Sequence, residues 1–319
     1  MIKVPDIAKL LIAASTLFSA PLSATAAEPA ACKTVRFSDV GWSDVTATTA
    51  IATVILQALG YTPKVNQLSV EVSFKSLQTK NIDVFLGDWQ PSMSKDIAPY
   101  LADKSVEVLR VNMEGAKYSL AVPDYTYENG LHDYSDIIKY KDSLKRKIFG
   151  LEPGNDGNSH VLDFIKSGQF GLKDFQLVES SEQGMLSEVA RAIKKHEDVV
   201  FLAWSPHQMN SRFKIGYLSG GDDSFGPNYG AATVSTVVRA GYAAQCPNVA
   251  AFLNNLHFTP ELEAKPMAYI GDDKLDPQVA AKKFLKENPD VLTGWLKGVT
   301  TFDGQSANAA IAAQLGAAP

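Results

Sequence analysis

Short β-branched runs alternate with amphipathic helical stretches along most of this chain, and the alternation limits its fold more than any single residue does. Thr34 to Phe37 reads as a strand and Thr46 to Leu59 as a helix stopped by Gly60. Pro63 to Val65 follows as a strand, and a short helix lies around Phe74 to Gln78. The strand Ile82 to Leu86 then ends at Gly87. Further strands are expected at Lys117 to Val122, Ile148 to Leu151, Phe175 to Val178, Val199 to Ala203 and Thr233 to Arg239. Helices fall between them at Tyr134 to Leu144, Ser159 to Lys166 and Gly184 to Lys195, and later near Asn248 to Leu256, Pro277 to Glu287 and Asp290 to Val299. Such alternation predicts an α/β fold of parallel sheets covered by helices on both faces, with ligands bound outside the carboxyl ends of the strands. The alanine-rich tail from Ser306 to Pro319 reads as low in complexity and frayed.

The first 27 residues stand apart. Lys3 and Lys9, around Asp6, precede an apolar run from Leu10 to Phe18, and Ala24-Thr25-Ala26-Ala27 is a small-residue site suited to signal peptidase. The run from Leu10 to Leu22 is interrupted by Pro21 and falls short of the roughly 20 apolar residues of a spanning helix, so it reads as a removed export signal and not as an anchor. Its removal leaves the chain one unit more acidic than the whole sequence at −5, which argues against a nucleic-acid partner. The remaining residues suffice for two lobes.

Cys32 and Cys246 are the two cysteines, and in an oxidising compartment an even count favours one disulfide between them. A lipidated Cys32 competes weakly, because Pro29-Ala30-Ala31 is a poor lipoprotein site and the hydrophobic run ends well before it. Metal binding is weaker still, since no His or second Cys stands at ligand spacing.

Three of the four tryptophans lie where strands give way to polar turns: Trp42 in Gly41-Trp42-Ser43-Asp44, Trp89 in Gly87-Asp88-Trp89-Gln90-Pro91, and Trp204 in Ala203-Trp204-Ser205-Pro206. Core packing explains a tryptophan taken singly, and it explains Trp295 in its late helix. It explains the other three poorly as a set. Ring faces paired with carboxylates are what a desolvated organic cation requires. At about 0.5 to 2 kcal/mol per ring, three or four rings supply most of a micromolar affinity, about −8 kcal/mol. Asp44 is either the countercharge in such a pocket or the N-cap of the helix that follows; Asp88 reads as a turn residue beside Gly87. Glu152-Pro153-Gly154-Asn155-Asp156-Gly157 follows a strand and precedes a helix, so the Asn155 amide stands at a crevice edge, suited to a neutral hydroxyl.

Signals for catalysis are poor. Gly41-Trp42-Ser43-Asp44-Val45 begins like a nucleophile elbow but lacks its final glycine. The five histidines show no zinc or triad spacing, and no phosphate-cradling glycine loop is present.

Taken in order, Gly41 to Asp44, Gly87 to Pro91, Lys117-Tyr118, Glu152 to Gly157 and Leu202 to His207 resemble the choline-binding receptors of bacterial ABC importers, within the wider group of betaine and choline substrate-binding proteins. The resemblance spans nearly the whole chain after the signal. It implies a two-lobed periplasmic binding protein of type II, each lobe a central sheet flanked by helices, with a hinge between them. Residues 28–113 plus 227–319 would form lobe I and residues 114–226 lobe II. It further implies that Trp42, Trp89, Tyr118 and Trp204 box a trimethylammonium group, that Asp44 faces the cation, and that Asn155 contacts the hydroxyl end. Trp42, Asp44 and Trp89 would come from one lobe, and Tyr118, Asn155 and Trp204 from the other. The protein expected is a monomeric periplasmic receptor without cofactor, metal or catalytic residues. It would deliver choline, or acetylcholine if room allows, to a membrane permease without itself inserting in the membrane.

A glycine betaine or carnitine receptor is the near alternative. Asp44 would repel a ligand carboxylate, and no Arg or Lys lies within the box motifs to clamp one. Strand alternation turns Lys117 to the face opposite Tyr118. An exported choline-ester hydrolase with Ser43 as nucleophile is the alternative of another class, and it requires a histidine beside Ser43.

Overall fold

The computed structural model describes residues 28–316 together with the first two residues of the chain. The expected export signal therefore lies outside the described residues. Among those described, no helix is long and apolar enough to cross a membrane.

The chain builds its first wing from β1 (Thr34–Asp39), α1 (Ser43–Ala58), β2 (Thr62–Gln67), α2 (Val70–Gln78), β3 (Val84–Gln90) and α3 (Ser94–Ala102). β1 runs parallel to β2 on one side and to β3 on the other. Apolar and small residues cover α1 on every side, and Val45, Ile51, Val54, Ile55 and Leu56 are all buried, as expected of a helix enclosed rather than laid on a surface. The long strand β4 (Val106–Pro123) then carries the chain away, followed by α4 (Asp124–Glu128).

A second wing comprises β5 (Lys147–Phe149), α5 (Asp156–Ser167), β6 (Gln176–Val178), α6 (Glu182–Lys194), β7 (Phe201–Ser205), α7 (Met209–Arg212) and β8 (Ile215–Tyr217). Here β5 lies parallel to both β6 and β7. Two short helices, α8 (Asp222–Phe225) and α9 (Pro227–Gly230), lead into β9 (Ala231–Arg239). After them come α10 (Tyr242–Gln245), α11 (Pro247–Asn255), α12 (Pro260–Gly271), α13 (Pro277–Glu287), α14 (Val291–Trp295) and α15 (Ala307–Leu315).

Among the described residues, the nine strands join one sheet in the order β2-β1-β3-β9-β4-β7-β5-β6, with β8 paired to β4. The sheet is mixed, which corrects the expectation of purely parallel sheets: β9 is antiparallel to β3 and β4, and β4 is antiparallel to β7. Two parallel wings thus meet through two long antiparallel strands. β4 pairs with β9 from Val106 to Lys117 and with β7 from Lys117 to Ala121, and register shifts fall between Val111 and Ala116. Only the last third of β4 was legible, because Val106 to Gly115 mixes exposed, half-buried and buried residues and lacks an apolar run.

The segment expected as a helix from Tyr134 to Leu144 is instead a 3-10 turn over Tyr134–Tyr140. Asp133 and Asp136 close a capping box on its first residues. The tail expected to fray forms α15, whose Ala307, Ile311 and Leu315 are buried against the first wing. Cys32 and Cys246 form the expected disulfide, so both sulfurs are occupied. The bridge ties the entry to β1 to the start of α11, and the first wing holds both ends of the segment 28–316.

Candidate functional site

The loop from β1 to α1 is shaped by Asp39, whose Oδ1 accepts from the Gly41 amide at 2.8 Å and from Thr46 Oγ1 at 3.0 Å. Gly41 takes φ +83°, and a Cβ there would lie 2.6 Å from Gln67 Nε2, so the turn requires glycine. This turn presents Trp42 as the N-cap of α1 and puts Asp44 in the first helical turn. Asp44 is therefore not the N-cap. Its Oδ2 accepts instead from Trp89 Nε1 at 3.0 Å. Trp89 sits inside β3 and not beyond it, because pairing with β9 resumes after an irregularity between Phe85 and Asp88 and runs on to Gln90.

Tyr118 on β4 faces Trp204 on β7 as a cross-strand pair, with ring centroids 6.4 Å apart at 89°. Trp89 lies 6.0 Å from Tyr118, and Phe225 of α8 braces the same ring edge-on at 5.3 Å. The Tyr118 hydroxyl donates to Asn155 Oδ1 at 3.0 Å, and that oxygen also accepts from the Asn158 amide at 3.1 Å as the N-cap of α5. Gly157 makes this approach possible, since a Cβ there would come 2.1 Å from the Tyr118 oxygen.

The structure brings all six sequence-predicted residues together. Trp42, Asp44, Trp89, Tyr118, Asn155 and Trp204, with Leu151, line one cavity. Leu151 was missed as a wall; it ends the expected strand one residue before the Glu152 block, a position sequence reads as core. Three buried polar atoms on these walls have no hydrogen-bond partner among the described residues: Asp44 Oδ1, Asn155 Nδ2 and Trp204 Nε1. Glu152 lies close enough to the Asn155 amide to sense it but uses its Oε1 to accept from Trp42 Nε1 at 2.8 Å.

Burial, and then the charge of Glu182, push the Asp44 carboxyl up to about 7, against the opposing pull of its bond from Trp89. Asp88 also departs from its reading as a turn residue. It is buried in β3, accepts from Gln90 Nε2 at 2.9 Å, and is pushed by burial up to about 7. No basic side chain lines the cavity. Lys117 lies on the other face, its Nζ 5.9 Å from the centre of the Tyr217 ring. Trp295 packs between Phe258 and Phe284 far along the chain, as expected. This arrangement offers ring faces and one carboxylate oxygen as acceptors for positive charge, and the Asn155 amide and Trp204 indole as donors for oxygen.

Contacts between the wings were not legible in the sequence. Besides Trp42 and Glu152, the Ser43 amide donates to Glu182 Oε2 at 2.9 Å, and His160 Nε2 lies 2.9 Å from the Ser92 carbonyl. Ser43 Oγ has no hydrogen-bond partner among the described residues, a histidine included, so the arrangement a hydrolase needs around Ser43 is not formed there.

Residues 33–287 match the family model described as the substrate binding domain of ABC-type glycine betaine transport systems. An ABC-transporter choline binding protein solved in complex with choline is 56% identical, with a TM-score of 0.89 over 90% of this chain and 100% of that one. The unliganded, semi-closed form of such a protein gives 0.82 at the same identity, over 90% of this chain and 99% of that one. A glycine betaine/carnitine transport binding protein of Listeria monocytogenes is 29% identical over 163 residues, which are 51% of this chain and 53% of that protein.

Proposed function

Since this chain belongs to the family of substrate-binding domains of ABC-type glycine betaine transport systems, with the α/β fold of a type II periplasmic binding protein, we propose that it is a periplasmic receptor for choline. Members of this family carry ligand to an importer and perform no chemistry on it, and they work outside the cytoplasmic membrane. Placement in the periplasm after removal of residues 1–27 is part of the proposal. In this reading Trp42, Trp89, Tyr118 and Trp204 surround the trimethylammonium group, Asp44 supplies the countercharge, and Asn155 Nδ2 donates to the choline oxygen. The two wings act as lobes, residues 28–113 plus 227–319 and residues 114–226. The register shifts in β4 near residues 111 to 116 support a hinge there.

One observation carries the choice of ligand. Among the described residues the cavity walls leave one buried carboxylate oxygen, one amide N–H and one indole N–H unmatched, without any basic side chain. A cation matches the carboxylate and the ring faces, and a neutral hydroxyl oxygen accepts from the amide. Glycine betaine brings a carboxylate to the Asn155 end, where the nearby Glu152 and Asp156 charges already hold the Tyr118 hydroxyl against ionisation, second only to burial; a further negative charge is disfavoured there. Calorimetric titration with choline and with glycine betaine tests the proposal. Micromolar or tighter choline binding, at least about tenfold tighter than betaine, is expected; no heat with choline, or tighter betaine binding, overturns it.

A further inference from the structure

α1 begins without a cap of its own. Its N-cap residue is Trp42, whose side chain offers no acceptor to the first-turn amides. The acceptor comes from the other wing: Glu182, the first residue of α6, places Oε2 2.9 Å from the Ser43 amide, across 139 residues of sequence. Both residues are buried, Glu182 at 4% exposure and Ser43 at 7%. Water therefore does not substitute easily for this bond while the wings are together.

Glu182 is itself held from behind. His207 accepts the Met209 amide at Nδ1 (2.9 Å), which puts its ring proton on Nε2, and Nε2 donates to Glu182 Oε1 at 3.0 Å. Gln183 Nε2 adds a weaker donor to the same oxygen at 3.3 Å. Every partner of Glu182 is a donor, so the side chain must accept at both ends. A carboxylate does this and an amide cannot.

We infer that Glu182, fixed by His207 on the second wing, is a positioning residue for the ligand site: when the wings close it caps α1 in trans and thereby sets Trp42 and Asp44. Ligand need not touch Glu182. Choline brings the wings together, the α1 terminus gains its missing acceptor only in the closed form, and the helix that carries one box wall and the countercharge is locked in place. The inference rests on the choline reading of the cavity, but the contact itself exists between protein groups alone.

The test compares wild type, Glu182→Gln and Glu182→Asp. Gln keeps the size but turns one acceptor into a donor facing either His207 and Gln183 or the Ser43 amide. Asp keeps the charge but shortens the reach. Both variants are expected to release choline about ten to a hundred times faster in stopped-flow tryptophan fluorescence, with association rates within about threefold of wild type, since closure follows encounter. In nuclear magnetic resonance of choline-saturated protein, the Ser43 amide proton of wild type is expected downfield, as for a charge-assisted bond, and it moves upfield in both variants. Unchanged dissociation in Glu182→Gln, or an Asp variant that binds like wild type while Gln does not, overturns the inference, because long-range charge and not the cap would then act. Absence of choline binding by wild type would instead fail the functional proposal, and the two failures are distinguishable. Should Glu182→Gln not fold, Glu182→Asp decides alone: wild-type dissociation in it overturns the cap.

Discussion

Two buried aspartates in the first wing meet opposite fates. Asp83, just before β3, receives Arg36 Nε and Nη2 at 2.8 and 2.7 Å and Arg239 Nε at 2.7 Å, and it also accepts the Arg36 amide. Burial pushes its carboxyl up, but these bonds outweigh burial and hold it below the ordinary range. Asp44 is comparably buried, has one indole N–H on one oxygen and nothing on the other, and is pushed up to about 7. A buried charge persists only when it is paired. Asp83 has its cations within the chain; Asp44, on the wall of an aromatic cavity, lacks one. On the proposed reading, the difference separates a structural ion pair from a carboxylate whose cation is the ligand.

The largest break in this contrast is expected from Asp83→Ala, which strands two arginines in β1 and β9 and lowers folding stability by about 3 to 5 kcal/mol in denaturant melts. Choline affinity of the protein that remains folded stays within about threefold. Asp44→Asn reverses the pattern: choline affinity by calorimetry falls about ten- to a hundredfold, while the melting temperature without ligand holds or rises, because a buried charge has been removed. A large stability loss in Asp44→Asn would place it with Asp83 as a structural group.

Protonation sharpens the contrast next. Choline pairs with ionised Asp44, so affinity is present above pH 7 and is lost as pH falls through about 7, by about tenfold between pH 8 and pH 6. Without ligand the sign reverses. The folded carboxyls of Asp44, Asp88 and Asp156, all pushed up to about 7, hold protons that the unfolded chain has already released above pH 4. The ligand-free protein should then melt at least ~3 °C higher at pH 5 than at pH 8, with saturating choline narrowing the gap. A ligand-free melting temperature that rises with pH over this window contradicts these assignments. The smallest effect is expected from Trp204→Ala, which removes one ring and weakens choline binding by about 1 kcal/mol with the fold intact. Equal losses of stability and binding would make Trp204 a core residue.

The ligand walls were legible in the sequence because strand ends and helix starts announce themselves in glycine, aspartate and proline, and the aromatic residues stand beside that punctuation. Trp42, Trp89 and Trp204 were readable in this way; Tyr118 and Asn155 needed the family blocks, since a strand tyrosine and a loop asparagine are ordinary alone. The middle of the fold was less legible. β4 hides its first two-thirds in charged, half-exposed sequence, and its antiparallel pairing with β9 depends on contacts more than a hundred residues apart. Glu182 carried no local signal at all, and Glu152 was read only as the first residue of its loop motif. A glutamate at a helix start reads as a first-turn acid, and only the approach of the other wing reveals that its acceptor serves α1. For the same reason the motif around Asp44 left N-cap and countercharge alike, and only the family blocks pointed to the countercharge.

That Asp44 awaits a cation is tested most directly by titrating choline at pH 7 in two buffers of different ionisation enthalpy. With its carboxyl near 7 before binding and ionised afterwards, Asp44 should release about half a proton per choline bound, and Asp44→Asn should abolish that release. Choline binding with no proton released, or with a proton taken up, would contradict the assignment.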